Sequence, residues 1–318
     1  MISRSSTKIS RRHFLVTGSL SVAAAWLVPK SLFALEDNLV KNARRAAGAM
    51  KLTVQSLRGN ISVIKGAGGN IAVLTGREGM LMVDAGIITS QTNIKAALAR
   101  IGNDPATHLI NTHWHFDHAD GNAWAHEAGA TILAHENTRR HLSVDTRVEG
   151  WHFTFPAAPA GALPTTVFQD HHTVNINGAT LALKHYAPAH TDSDISVHFT
   201  EADIFHAGDT FWNGAYPFID YSTGGSIDGH IEAAEANLAS VTNKTIVIPG
   251  HGEVGGKAEL TLFRDLLVSA RDKVAALKKQ GRTLAEVIAT NPCARYDDEW
   301  GQSFMTPGAF IALVYQGV

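Results

Sequence analysis

Apolar positions come first in short bursts. Residues 52–57, 61–65, 70–74 and 80–83 are β-type runs, and the breaks between them at 58–60, 66–69 and 76–79 are rich in glycine. Consecutive strands joined by tight turns predict an antiparallel or mixed sheet. From Thr89 the period lengthens. A helical stretch at 91–100 leads to an apolar strand at 108–111, a helix from about 120 to 128, and a strand at 131–134, which is βαβ alternation.

A second β-rich block begins near residue 166. Residues 174–176 and 180–183 flank Asn177-Gly178, a hairpin signal. Strands at 195–199 and 204–206 follow, then a helix from about 228 to 240 and an apolar strand at 245–248. From Lys257 onward the pattern is mostly helical. Two β-rich halves, each closed by helices, predict an α/β (α+β) sandwich of two mixed β-sheets flanked by helices. The expected division is a linker or short helix over 35–50, a domain over 51–256, and a helical extension over 257–318 packed on that domain. Residues 150–166, with Trp151, Phe153, Phe155 and three prolines, lack periodicity and are expected to be a long, functional loop.

The first 34 residues are an address. Ser10-Arg11-Arg12-His13-Phe14-Leu15 precedes an apolar stretch to Val28, then Pro29, Lys30 and a small residue at Ala34. The Arg11–Arg12 pair followed by Phe14 and Leu15 resembles the twin-arginine export signal. Some fifteen apolar residues rise only about 22 Å as a helix, short of a bilayer core of about 30 Å. The expectation is therefore a cleaved signal read by the twin-arginine translocase, a periplasmic home and no permanent membrane anchor.

Charge narrows the partners. The formal charge is −2, from 27 basic and 29 acidic residues. The leader carries Arg4, Lys8, Arg11, Arg12 and Lys30 and no acidic residue, so without it the balance is 22 − 29 = −7. An acidic chain without a basic stripe excludes nucleic acid as a partner. The lone cysteine, Cys293, excludes an internal disulfide or thiolate cluster, and 17 histidines direct attention to imidazole chemistry.

The histidines crowd at Asn111-Thr-His113-Trp-His115-Phe-Asp117-His118. A strand delivers His113 and His115 from its end, and Asp117 and His118 follow on the turn into a helix, a concentration of ligand types that reads as a metal site. Three later segments repeat the form, each with a ligand-type residue at the end of a β-run: Ala189-His190-Thr, Gly208-Asp209-Thr and Gly250-His251-Gly.

These residues resemble the metallo-β-lactamase superfamily over about residues 52–256. His113-Trp-His115-Phe-Asp117-His118 matches its His-x-His-x-Asp-His signature, and Asp84-Ala-Gly86 matches the Asp-x-Gly strand end before it. The resemblance implies an αββα sandwich and two zinc ions. One ion would take His113, His115 and His190, the second Asp117, His118 and His251, with Asp209 bridging. The nitrogen and oxygen ligands also accept iron or manganese. A hydroxide shared between two dications would attack an acyl carbon at neutral pH, and Asp117 would orient it and shuttle its proton. Asp84 is either an acceptor for a ligand imidazole N–H or a turn cap.

The glycine and threonine around Asp209 lean toward ester, lactone and thioester hydrolases. A β-lactam hydrolase and a mononuclear iron persulfide dioxygenase are the alternatives. Among other histidines, His206 is a candidate support for the site, whereas His126, His135, His141, His171, His172 and His185 are expected in packing or surface roles. Trp151 and Phe153 are expected as a lip over the metal pair, favouring a small apolar or aromatic substrate.

Overall fold

The computed structural model describes residues 39–318, and the export segment expected at 1–34 lies outside the described residues. Strands β1 (Thr53–Ser56), β2 (Ile61–Lys65), β3 (Ile71–Leu74) and β4 (Met80–Val83) form an antiparallel meander. Burial in β3 and β4 is continuous because both faces of the sheet are covered. Along β4, Leu81 and Val83 face one core while Met80 and Met82 face another, as strand alternation requires. Helix α2 (Gln91–Ile101) carries the chain back to β5 (Ala106–Ile110), which runs parallel to β4.

The helix expected at 120–128 is interrupted. Helices α3 (Phe116–Ala119) and α4 (Asn122–Glu127) are separated at Gly121, where a Cβ would lie 2.3 Å from the Ala85 carbonyl oxygen. The chain passes too close to the exit of β4 for one straight helix. Strand β6 (Thr131–His135) and helix α5 (Glu136–Leu142) follow.

The segment expected as an irregular loop at 150–166 holds more structure than its sequence indicated. Strand β7 (Thr146–Val148) pairs antiparallel with β8 (Phe153–Phe155), turning through His152 at φ 49°. The prolines fall after this hairpin, where the chain crosses to β9 (Thr166–Phe168). Strand β9 completes the first sheet, in the order β1-β2-β3-β4-β5-β6-β9.

The second sheet is built from β10 (His171–Ile176), β11 (Ala179–His185), β12 (Ile195–Phe199), β13 (Ile204–His206) and a later strand. Asn177 and Gly178 turn β10 into β11 with φ of 55° and 74°, the left-handed pair that a tight hairpin needs. After the short β14 (Trp212–Asn213) and helix α6 (Ile227–Ser240), β15 (Ile246–Ile248) pairs parallel with β13 at the sheet's edge. Strand β16 (His251–Gly252) pairs with β14.

Ile61, Val63, Leu81 and Val83 from the first sheet meet Leu181, Leu183, Val197 and Phe199 from the second in one buried core. Outside the first sheet, Met82, Leu109 and Ile132 pack with Ile94 of α2 and Trp124 of α4. Outside the second, Phe205 and Val247 pack under α6 and α7 (Lys257–Lys279). Helices α8 (Leu284–Thr290), α9 (Asp297–Trp300) and α10 (Pro307–Gly317) continue that layer. The result is helix, sheet, sheet, helix, as expected from the two-block pattern. Truncating an interior side chain such as Leu81 to alanine costs about 2–5 kcal/mol.

Residues 39–49, read as linker or short helix, form α1 (Leu39–Ala49), with Val40, Ala43 and Ala47 buried. Arg44 ties α1 to the motif region through paired 2.8 Å bonds to Asp120.

Candidate metal centre

The seven candidate residues arrive from separate elements at one edge of the sandwich. His113 and His115 follow β5, and Asp117 and His118 lie on the single turn of α3. His190 sits in the connection from β11 to β12, Asp209 in the short turn after β13, and His251 opens β16. His113, His115, His118, His190 and Asp209 are at most 2% exposed. Asp117 and His251 are the least enclosed, with side chains 11% and 12% exposed, so the cleft opens over these two.

Their ligand atoms converge. Those of His113, His115 and His190 lie within 4.8 Å of one another, as do those of Asp117, His118 and His251, and those of His113, His118 and Asp209. Asp209 stands between the first two groups: Oδ1 is 3.1 Å from His118 Nε2, and Oδ2 is 3.3 Å from His251 Nε2 and 3.4 Å from His190 Nε2.

Hydrogen bonds around the cluster select which ring nitrogen faces inward. His118 Nδ1 donates to Asp84 Oδ2 at 2.7 Å, which turns Nε2 inward. His190 Nδ1 donates to the Phe218 carbonyl oxygen at 2.8 Å, again turning Nε2 inward. His115 is reversed: Nε2 donates to Asp220 Oδ2 at 3.1 Å, so Nδ1 turns inward, 2.9 Å from His190 Nε2. Thr112 Oγ1 donates to Asp84 Oδ2 and accepts from His113 Nδ1 at 3.1 Å, leaving Nε2 of His113. That Nε2 is buried without a partner, and Asp209 Oδ1 accepts no hydrogen bond despite the nearby His118. Inward lone pairs and orphaned acceptors are the donor set a divalent cation satisfies, and the cluster can hold metal.

Electrostatics fit the same picture. Burial pushes His113 well below the usual imidazole range, helped by neighbouring histidines. Burial also opposes charge on His118 and His251, but Asp209 and Asp117 outweigh it, raising His118 well above the usual range and His251 to about 9. Burial acts to raise Asp209, and the surrounding histidines overcome it and hold the carboxyl well below its usual range. An incoming cation therefore displaces protons from His118 and His251.

Of the two readings of Asp84, the bonds support the acceptor for a ligand imidazole: Oδ2 takes His118 and the Thr112 hydroxyl, and Oδ1 accepts from the Thr112 backbone N–H. Its φ of 68° is unusual for a residue with a side chain, and the three bonds offset that strain. His206 is a brace beside the site, with Nε2 donating to the Asn70 carbonyl and Nδ1 accepting from the Gly208 N–H.

Two supports were missed in the sequence. Asp220 accepts from Ser222 and Thr223 in its own turn, and the same carboxylate orients His115. Burial alone would raise its pKa, but these bonds hold it down to about 2. His230, inside α6, donates from Nε2 to the Asp209 backbone oxygen at 3.1 Å. A buried histidine on an amphipathic helix gives no sign in sequence that it braces a loop.

The expected aromatic lip is corrected by half. Trp151 lines the cleft, packed 4.7 Å from the His115 ring, but Phe153 does not. Phe153 and Phe155 share one face of β8, and Phe153 packs on Phe155 at 4.7 Å, away from the metal edge. Phe211 is core, against Phe263. Trp212 also lines the cleft, 4.1 Å from the His251 ring.

Comparison with known proteins agrees with this geometry. The family profile described as Metallo-beta-lactamase superfamily matches residues 64–251. Two hydroxyacylglutathione hydrolases are similar in sequence. The one from Polaromonas sp. (strain JS666 / ATCC BAA-500) is 26% identical over 171 residues, covering 53% of this chain and 57% of the relative. The one from Erythrobacter litoralis (strain HTCC2594) is 24% identical over 213 residues, covering 61% and 74%. The chain thus spans 57% of the length of the Polaromonas relative. Among solved structures, the DIM-1 metallo-beta-lactamase superposes with a TM-score of 0.55 at 20% identity, over 70% of this chain and 99% of that one. The sec-alkylsulfatase Pisa1 from Pseudomonas sp. superposes with a TM-score of 0.58 at 13% identity, over 92% and 54%. These neighbours share the fold.

Proposed function

The chain belongs to the metallo-beta-lactamase superfamily, and we propose that it is an exported dinuclear zinc hydrolase that cleaves an ester, lactone or thioester bond. The observation that carries the proposal is Asp209, whose carboxylate lies within 3.4 Å of His190 from one group and of His118 and His251 from the other. In this reading His113, His115 and His190 hold one ion and Asp117, His118 and His251 the other, with Asp209 shared. The two relatives named hydroxyacylglutathione hydrolase support an acyl substrate.

When bound, zinc supplies Lewis acidity and lowers the pKa of water by several units, so that a nucleophile is available near neutral pH. The chain's own groups do the rest. Burial acts to raise the Asp117 carboxyl, but His118 and His251 overcome it and keep the group ionised. Asp117 lies at the open side of the cleft, where its carboxylate orients the attacking water and accepts its proton. Attack on the acyl carbon and loss of the alcohol, or of the thiol from a thioester, leave a carboxylic acid, and the proton on Asp117 passes to the leaving atom. Leu39, Phe116, Trp151, Trp212 and Phe304 line the cleft and exclude bulk water from it.

Export rests on the Arg11–Arg12 leader. No helix among the described residues is long and apolar enough to cross a membrane. The test of the activity is elemental analysis of protein purified from its native export route, followed by an assay on esters, lactones, thioesters and β-lactams. Two zinc ions per chain with acyl hydrolysis are expected. At most one metal under zinc-replete conditions sinks the dinuclear assignment, and one iron per chain with no hydrolysis favours an oxidoreductase of the same fold.

A further inference from the structure

Two tryptophans flank the metal cleft, and each keeps a polar atom that nothing in the fold uses. The cleft is lined by five of the proposed ligands together with Leu39, Phe116, Trp151, Trp212 and Phe304. Trp151 packs against His115, and Trp212 against His251 and, with ring centroids 6.4 Å apart, His190. Both are nearly enclosed, at 7% and 3% exposure. Both Nε1–H groups are buried without an acceptor.

A buried unsatisfied donor is costly, and native proteins keep such groups where a ligand completes them. The feature alone makes no site: Trp124 Nε1 is also unpartnered, in the core between α2 and α4 and away from the cleft. Trp114, next to the ligands, satisfies its N–H on Thr223. What distinguishes Trp151 and Trp212 is that both unsatisfied indoles border the same cleft. Among the described residues, the lining of the cleft includes no lysine or arginine. Nothing there pairs with the carboxylates of a charged peptide thioester.

We propose that Trp151 and Trp212 are the hydrogen-bond donors that hold the substrate's oxygens over the metal site, and that the substrate is a compact, uncharged ester or lactone with an apolar body. This rests on the hydrolase reading above. The two donors sit on rigid rings that lose little entropy on binding, and they act in an enclosed site where water does not compete. The indole faces and Phe116 supply the apolar walls, and the N–H groups fix orientation, the division of labour common to small-molecule sites.

Two measurements test the proposal. In zinc-loaded protein with ¹⁵N-labelled tryptophan, titration with phenylacetate, an apolar-bodied acid product, should move the indole N–H signals of Trp151 and Trp212 downfield and leave that of Trp124 in place. Trp151→Phe and Trp212→Phe identify the signals by their loss; if a variant fails to fold, contacts to the His115 and His251 rings identify them in the unsubstituted protein. Each Phe variant should also lower kcat/KM for phenyl acetate by about tenfold, the worth of one hydrogen bond, with metal content unchanged. S-lactoylglutathione should be turned over more slowly than phenyl acetate by the unsubstituted enzyme. Unmoved indole signals at saturating phenylacetate, unaltered kcat/KM in both variants, or a preference for the glutathione thioester each overturn the proposal. If the unsubstituted protein hydrolyses no acyl compound, the hydrolase reading fails, and the titration still decides the role of the two indoles.

Discussion

His118 and Asp84 are joined by one bond of 2.7 Å from Nδ1 to Oδ2, and that bond decides which nitrogen of His118 faces the cleft. Asp84 in turn is fixed by two bonds from Thr112, directly before His113. One carboxylate at the exit of β4 thus aligns residues on both proposed ligand groups. Asp84→Asn keeps a residue that tolerates the left-handed backbone but removes the charge. Zinc affinity should fall about 10–100-fold, as for other supports of ligand imidazoles. Competition with a chelating dye measures this, and unchanged affinity would mean that Asp84 only braces Thr112.

Much of this site is legible in the sequence because its ligands lie at strand ends, where β-type runs stop abruptly at His or Asp. His113, His115, Asp117 and His118 are visible for that reason, and His190, Asp209 and His251 become visible once the first four are known. Asp220 and His230 are not, because their partners lie 105 and 21 positions away in the chain and only folding brings them together. The two-sheet architecture is legible from runs separated by glycine. The β7–β8 hairpin is not, because its strands are short and its turn uses His152 instead of a recognisable turn residue.

Asp209→Asn keeps the side-chain volume but removes the charge that faces both ligand groups. If Asp209 is shared between two ions, elemental analysis should show reduced occupancy of both. Loss of one ion with full retention of the other would make Asp209 a terminal ligand and would change the proposed mechanism.

Stability should weaken in mild acid through His135, which is remote from the metal centre. Burial, with the stacked His185 ring 3.6 Å away, lowers its pKa to about 4. The folded pKa lies below the unfolded value near 6.5. Between those values the unfolded chain binds a proton that the folded chain refuses, so stability falls as pH drops from about 6.5 to about 4. The His135 Nδ1 also caps α5 by accepting the Asn137 N–H. His135→Asn keeps an acceptor for that bond and removes the titration. Urea unfolding of this variant should show a shallower decline over the same range, by up to about 1.4 kcal/mol per pH unit for one proton. An unchanged slope would show that other groups carry the acid sensitivity.

Export should depend on the paired arginines at 11 and 12, a segment outside the described residues. Arg11→Lys with Arg12→Lys preserves charge and changes only the guanidinium pair. The protein should then remain in the cytoplasm, still able to bind zinc. Undiminished periplasmic yield in fractionated cells would assign export to another route.

Gly69 precedes β3 and approaches the site through its backbone. Its N–H donates to the Asp117 carbonyl at 3.0 Å, and a Cβ there would lie 2.1 Å from His118 Cε1 and 2.6 Å from Nε2. The imidazole cannot retreat, because Asp84 holds its far nitrogen and Asp209 stands on its open side. Gly69→Ala must therefore rotate the ring or move the strand, and either displaces Nε2 from Asp117 and His251. The proposed second ion should be lost or bound far more weakly, while His113, His115 and His190 still hold the first. Gly178→Ala is the control: a Cβ there meets nothing within 4 Å, and only the φ of 74° opposes it. That variant should lose about 1–2 kcal/mol of stability from backbone strain and keep both ions. Equal metal content in the two variants would show that the glycine before β3 serves the turn alone.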